Sequence, residues 1–188
     1  MQLTEQTILE CGLSIGVTKV YGLCSGGKDS MSACATAHKY RKLDGILLVD
    51  TKIVARNGND KPSYIAVKKF AEKLNVPFIC ITGKDNLKKG FDYINSIEEF
   101  GIGDLMKNYT KKYGLPHTGQ HNQVFRFLKK KALVGFVMSQ INKGERIAFI
   151  SGVRMNESER RLENAQIIGL DDDSTRIIWI APCYYWTT

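Results

Sequence analysis

The chain has 188 residues, of which 43% are apolar, 24% charged and 10% aromatic. Those are the proportions of a globular domain, able to bury roughly 70% of the surface its unfolded chain exposes, and they exclude disordered, collagen-like and coiled-coil classes. Lysine and arginine number 27 against 19 acids, a net charge of +8, which implies an anion somewhere on this surface. No apolar run approaches the roughly 20 residues that span a bilayer. The first segment, MQLTEQTILECGLSIG, also carries Glu5 and Glu10 where a signal peptide needs an unbroken apolar core, so no membrane partner is expected. Cys11, Cys24, Cys34, Cys80 and Cys183 are odd in number, dispersed and without a CxxC pair. Neither a disulfide framework nor a zinc site is therefore expected, and a cytoplasmic, reducing location fits.

From Val17 onward, short β-branched or apolar runs alternate with helical periodicity. TKVYGLC is a strand, about Asp29 to Arg41 a helix, and GILLVDT a second strand. Pro62 opens the next helix, whose apolar face is Ile65, Val67, Phe70, Ala71 and Leu74, and VPFICIT follows as the third strand. GILLV and VPFICI are nearly continuous apolar runs, as expected of strands covered by helices on both faces. Residues 84–120, interrupted by Gly90, Gly101, Gly103 and Gly114, read as helices and flexible loop ending in GLPHTG. The run VFRFLKKKALVGFVMSQI regains a helical stripe, and RIAFISG is a fourth strand ending at Gly152. A short helix is expected over 157–166, then the acidic turn LDDDST, then RIIWIAP as a fifth strand. The expectation is one α/β domain over residues 1–188: three layers, α/β/α, around a central, mainly parallel, doubly wound five-stranded sheet.

Ser25-Gly26-Gly27-Lys28-Asp29-Ser30 lies between the first strand and the first helix. Two consecutive glycines let successive N–H groups turn into one concavity, with the positive end of the helix behind them, a combination that holds phosphate or sulfate. Ser25 and Ser30 supply hydroxyl donors and Lys28 a full charge. Asp29 either caps the helix or orients a Mg²⁺ shell. Neither GxxxxGK(S/T) nor GxGxxG is present, and the competing reading is a glycine-rich strand-to-helix turn with a Ser/Asp cap.

The segment resembles the SGGxDS PP-loop of the ATP pyrophosphatase superfamily. Val49-Asp50-Thr51 is similar to the DTG step of phosphoadenosine phosphosulfate (PAPS) reductases, with Lys52 in place of the glycine. Gly114-Leu115-Pro116 and Leu128-Lys129 resemble that branch's GxP and LK landmarks, with Ala132 where a proline is usual. Gly152 to Arg161, GVRMNESERR, resembles its G-x-R-x-x-x-S-x-x-R segment. Independently of the resemblance, Gly152 ends a strand where a ligand can approach the backbone, and Arg154 projects a charged fork at the sheet edge where open α/β folds bind ligands. Glu157 and Arg161 also read as an ordinary surface pair one helical turn apart.

The resemblance implies an adenine nucleotide alpha hydrolase-like fold and an adenine nucleotide, ATP or PAPS, whose anionic groups sit on Ser25–Ser30. It adds Gly152, Arg154, Ser158 and Arg161 to the anion site, makes Lys28 and Arg154 the catalytic cations, and brings Mg²⁺ if ATP is used, with Asp29 as its ligand. Asp50 would meet ribose or metal, or cap a turn. Tyr21, Gly22, Leu48 and Val49 would lie by the adenine. The implied chemistry is attack on the ATP α-phosphorus with pyrophosphate leaving, or thiol attack on the sulfur of PAPS with sulfite leaving, hence transferase or oxidoreductase chemistry. The cysteine of the family's C-terminal Glu-Cys-Gly tail is expected to be absent, because Trp186-Thr187 matches the family's W-T landmark. A thiol donor, a partner subunit or Cys183 would then have to stand in, and a homodimer is compatible. Two other classes stay open: a non-catalytic nucleotide-binding module, and a nucleic-acid-modifying ATP pyrophosphatase.

Of the remaining residues, His117 and His121 flank a glycine-containing stretch beside Arg126, Lys129, Lys130 and Lys131, and read as a metal or acid/base pair or as a solvated loop. The lysine run reads as a solvated helix face, a triphosphate contact or a nucleic-acid contact. Cys183 reads as a buried, inert thiol.

Overall fold

In the computed structural model, which describes residues 3–51, 62–86, 90–95, 104–140, 142, 145–155, 166–171 and 174–186, β1 (Val17–Leu23) has parallel neighbours on both sides. It pairs with β2 (Gly45–Val49) from Tyr21↔Gly45 to Leu23↔Leu47, and with β5 (Arg146–Ile150) from Lys19↔Ile147 to Gly22↔Ile150. β5 pairs in parallel with β7 (Ser174–Ile180). β3 (Phe78–Asn86) with β4 (Gly90–Asn95), and β6 (Ile168–Asp171) with β7, are antiparallel. The strand order is β4-β3-β2-β1-β5-β7-β6. The protein is thus α/β with a mostly parallel sheet, but the sheet has seven strands where five were expected.

Both additional strands are antiparallel. β4 falls within residues 84–120, read from the sequence as helix and loop; six residues that begin with a glycine carry too little periodicity to be told from a weak helix. β6 includes the first two residues of the expected acidic turn, Leu170 and Asp171. Asp171 is 7% exposed and its Oδ2 accepts from Trp179 Nε1 at 3.0 Å, so cross-strand pairing with an indole holds a carboxylate that composition assigned to solvent.

The chain divides into two compact units. The first (Met1–Leu47, Ala66–Phe78 and Ile141–Thr188) holds β1, β5, β6, β7, the first part of β2, α1 (Glu5–Leu13) and α2 (Lys28–Tyr40). Ile147 to Ile150 are all buried, as a strand covered on both faces requires. α1 was not expected from the sequence. Thr4 caps it by accepting from the Thr7 N–H at 3.2 Å, and its buried positions are Ile8, Leu9 and Gly12, the last set against Ile180 of β7. Trp186 Nε1 donates to Glu5 Oε1 at 2.6 Å, tying the turn after β7 to the first turn of α1 and holding the Glu5 carboxyl below its ordinary pKa.

The second unit (Leu48–Ile65 and Ile79–Gln140) contains most of β3, β4 and a helical segment. α3 (Pro62–Lys73) begins at Pro62 as expected and passes from this unit into the first. α4 (Asp104–Tyr113) packs through Leu105, Met106 and Tyr109 against Leu128. Leu128 belongs to a π-helical stretch, Phe125–Lys130, set between α5 (His121–Val124) and α6 (Lys131–Gln140) with helical backbone at both joins. The helical stripe read from the sequence is therefore present, with a wider turn inserted. Among the described residues no helix is long and apolar enough to cross a membrane.

Candidate functional site

β1 ends at Leu23 and α2 starts at Lys28, leaving Cys24 to Gly27 to make the turn. Gly26 makes it with φ +88°, a backbone region that L side chains rarely enter. Gly27 is the N-cap of the 13-residue α2 and supplies no side-chain cap; neither Ser25 nor Asp29 takes that place, so the Ser/Asp-capped turn is not what the structure contains. A Cβ built on Gly27 would have Ser25 Oγ at 3.7 Å as its nearest neighbour, so that side of the loop is open. Ser25, Gly27 and Lys28 are exposed, and the N-terminus of α2 has no side-chain cap beside that lysine.

Ser30 works inside the loop. Its hydroxyl donates to the Gly27 carbonyl at 2.9 Å and accepts from the Ser25 N–H at 3.3 Å, with Ser25 Oγ at 3.3 Å and Cys24 Sγ at 3.5 Å. With the Ser30 proton on Gly27, the contact between the two serines takes Ser25 as its donor, so both hydroxyls brace the turn.

Gly152 and Arg154 come to the same place. A Cβ on Gly152 would stand 2.5 Å from Ser30 N, 2.6 Å from Ser30 Cα and 2.7 Å from Asp29 C, so what approaches the glycine is the backbone of α2's first turn, not a ligand. Arg154 Nη2 donates to Asp29 Oδ2 at 3.0 Å, with the two side chains 13% and 28% exposed. Arg154 Nε is buried and has no hydrogen-bond partner among the described residues.

The other expected site residues divide differently. Asp50 is half-buried just past β2, with its N–H donating to Ile81 O at 2.7 Å inside the second unit. Ser158 and Arg161 lie outside the described residues. His117 is exposed and its Nδ1 accepts from the Gly119 N–H at 3.2 Å, the solvated-loop reading. Among the described residues no group of three or more His, Cys, Asp or Glu is arranged to hold a metal.

Sequence reasoning passed over Cys24, whose signal was its place immediately before Ser25. Its buried thiol is pulled down to about 6, first by a hydrogen bond from the Cys34 thiol, against the opposing effect of burial, and further by Ser30 and the Gly26 backbone. Cys34, fully buried in α2, is pushed up by the same shared proton and by burial. Cys183 is buried, as expected, and burial lifts it to about 11. Thiolate absorbance near 240 nm should therefore show one group titrating near pH 6, moved upward by Cys34→Ala. Because the folded value of Cys24 is depressed, its contribution to stability is fully present above the ordinary thiol value near 9 and is lost as pH falls through about 6. The stability gap between the native chain and Cys24→Ser should thus widen between those limits, by at most about 1.4 kcal/mol per pH unit. A gap independent of pH would mean that Cys24 remains a thiol.

Compared with known proteins, the chain matches no protein-family model, and no curated protein is significantly similar to it.

Proposed function

We propose that the chain is a PAPS reductase-like PP-loop protein with the three-layer, doubly wound adenine nucleotide alpha hydrolase-like fold. It binds an adenine nucleotide, ATP or PAPS, with the phosphate or sulfate groups on Ser25–Ser30. The observation that carries the reading is the uncapped N-terminus of α2, fronted by an open Gly27 and an exposed Lys28. Charge developing on a transferred phosphoryl or sulfuryl oxygen would meet those N–H groups and Lys28, with Arg154 behind them. Asp29 Oδ2 is engaged by Arg154, and no other described acid completes a metal cluster, so the reading puts no metal on Asp29. Mg²⁺ would accompany ATP on the nucleotide's own phosphates.

A non-catalytic nucleotide-binding module is the second reading, favoured because Cys24, Cys34, Cys80 and Cys183 are buried and Cys11 is the exposed thiol. Both readings share one test. Gly27→Val puts its Cβ at ordinary contact distance, 3.7 Å, from Ser25 Oγ, at φ −81° and ψ 154°, an extended conformation valine adopts readily, so stability should change by only about 1 kcal/mol. The thermal shift given by ATP with Mg²⁺, PAPS or adenosine 3′,5′-bisphosphate should disappear. Retention of the full shift would sink the loop as the binding site, and release of pyrophosphate or sulfite by the native chain would exclude the non-catalytic reading.

A further inference from the structure

We propose that the helical segment of the second unit presents a surface for the phosphate backbone of a nucleic-acid strand. Residues 104–140 contain seven cations against one acid, Asp104, and so carry most of the chain's net +8. The packing of α4 decides where its share goes. Leu105, Met106 and Tyr109 are committed to the cluster with Leu128, leaving Lys107, Lys111 and Lys112 exposed on the remaining arc of the helix. Lys107 and Lys111 are four residues apart, about one turn or 6 Å along the axis. Arg126, also exposed, comes from the π-helical stretch that supplies Leu128 to the same cluster. Half-buried Tyr113 adds a ring, with Lys112 Nζ 5.0 Å from its centroid.

The occupant follows from that arrangement. A bilayer would require an apolar face to insert, and the apolar face of α4 is spent in the cluster with Leu128. Three lysines along about 7.5 Å of the α4 axis, with Arg126 from the π-helical stretch packed on the same cluster, suit a charge that repeats along a strand. Contact through phosphate makes binding independent of sequence and strongly dependent on salt. This inference does not rest on the nucleotide loop, which lies in the first unit.

The test is fluorescence anisotropy of the full chain with labelled single strands of RNA and DNA about 20 nucleotides long, between roughly 50 and 200 mM salt. Affinity should fall steeply with salt. K107E/K111E/K112E should weaken binding by more than tenfold and reduce the log–log salt slope by about three. K39E/K42E/K73E, the same change in net charge at exposed positions of the first unit, should change affinity less than threefold. Glutamine versions of both sets, checked by thermal melting, guard against a folding defect and should show the same contrast. The proposal is overturned if no strand binds at the lowest salt, if both triple variants lose equally, or if anionic vesicles or polyglutamate bind as tightly as the oligonucleotides through the same lysines.

Discussion

Gly152→Ala is expected to destabilise the protein by about 3 kcal/mol, lowering its melting temperature by roughly 6–12 °C, although it adds a single methyl group at the end of a strand. The methyl would fall within 2.5–2.7 Å of main-chain atoms of Asp29 and Ser30, and backbone in the first turn of a helix cannot move aside as a flexible side chain can. Relief would require β5 and α2 to separate, disturbing the loop that Ser30 braces. On the proposed nucleotide reading, any variant that still folds should also lose the thermal shift given by the nucleotide. Gly12→Ala is the matched comparison: its methyl would meet Ile180 Cδ1 and Cγ1 at 2.6 and 2.8 Å, side-chain atoms that can shift where main chain cannot, and should cost less. Equal costs at the two glycines would mean that the approach of Gly152 to α2 is not rigid.

Asp29 and Arg154 should respond to mutation asymmetrically. Asp29→Asn leaves a guanidinium that is 13% exposed without its countercharge, whereas Arg154→Met leaves a carboxylate that is 28% exposed at the favourable end of a helix. Stability should fall by about 2 kcal/mol in the first case and about 1 kcal/mol in the second, below the range for fully buried pairs because water reaches both groups. On the proposed nucleotide reading, ligand binding should move in opposite directions. Asp29→Asn frees Arg154 for an anion and should tighten adenosine 3′,5′-bisphosphate, while Arg154→Met should weaken it by about tenfold or more. Melting curves with and without the bisphosphate, completed by the double variant, measure both effects. A loss of affinity in both single variants would make Arg154 a positioning residue for the loop rather than a contact to the anion.

Much of the architecture was legible in the chain because one-dimensional patterns carry it. GILLV read as a buried strand since a strand covered on both faces needs no polar alternation, and Pro62 marked a helix start since its fixed φ and missing N–H suit a first turn. Short as they are, β4 and β6 had no such pattern, and their existence rests on antiparallel partners supplied by β3 and β7. α1 carried a cap signal at Thr4, but it precedes the strand–helix alternation, which starts only at Val17.

The loop divides in the same way. That residues 25–30 turn between a strand and a helix was determined by their own sequence, because paired glycines permit main-chain conformations that other residues resist. Only the tertiary structure decided that Gly152 is shaped by the backbone of α2, that Ser30 faces inward, that Asp29 meets Arg154 across 125 positions of sequence, and that Cys24 shares a proton with Cys34. Local conformation depends on dihedral freedom, which each residue carries with it. The partner of a charge, a thiol or a missing Cβ depends on which distant segment the sheet brings alongside, and no local pattern encodes that neighbour.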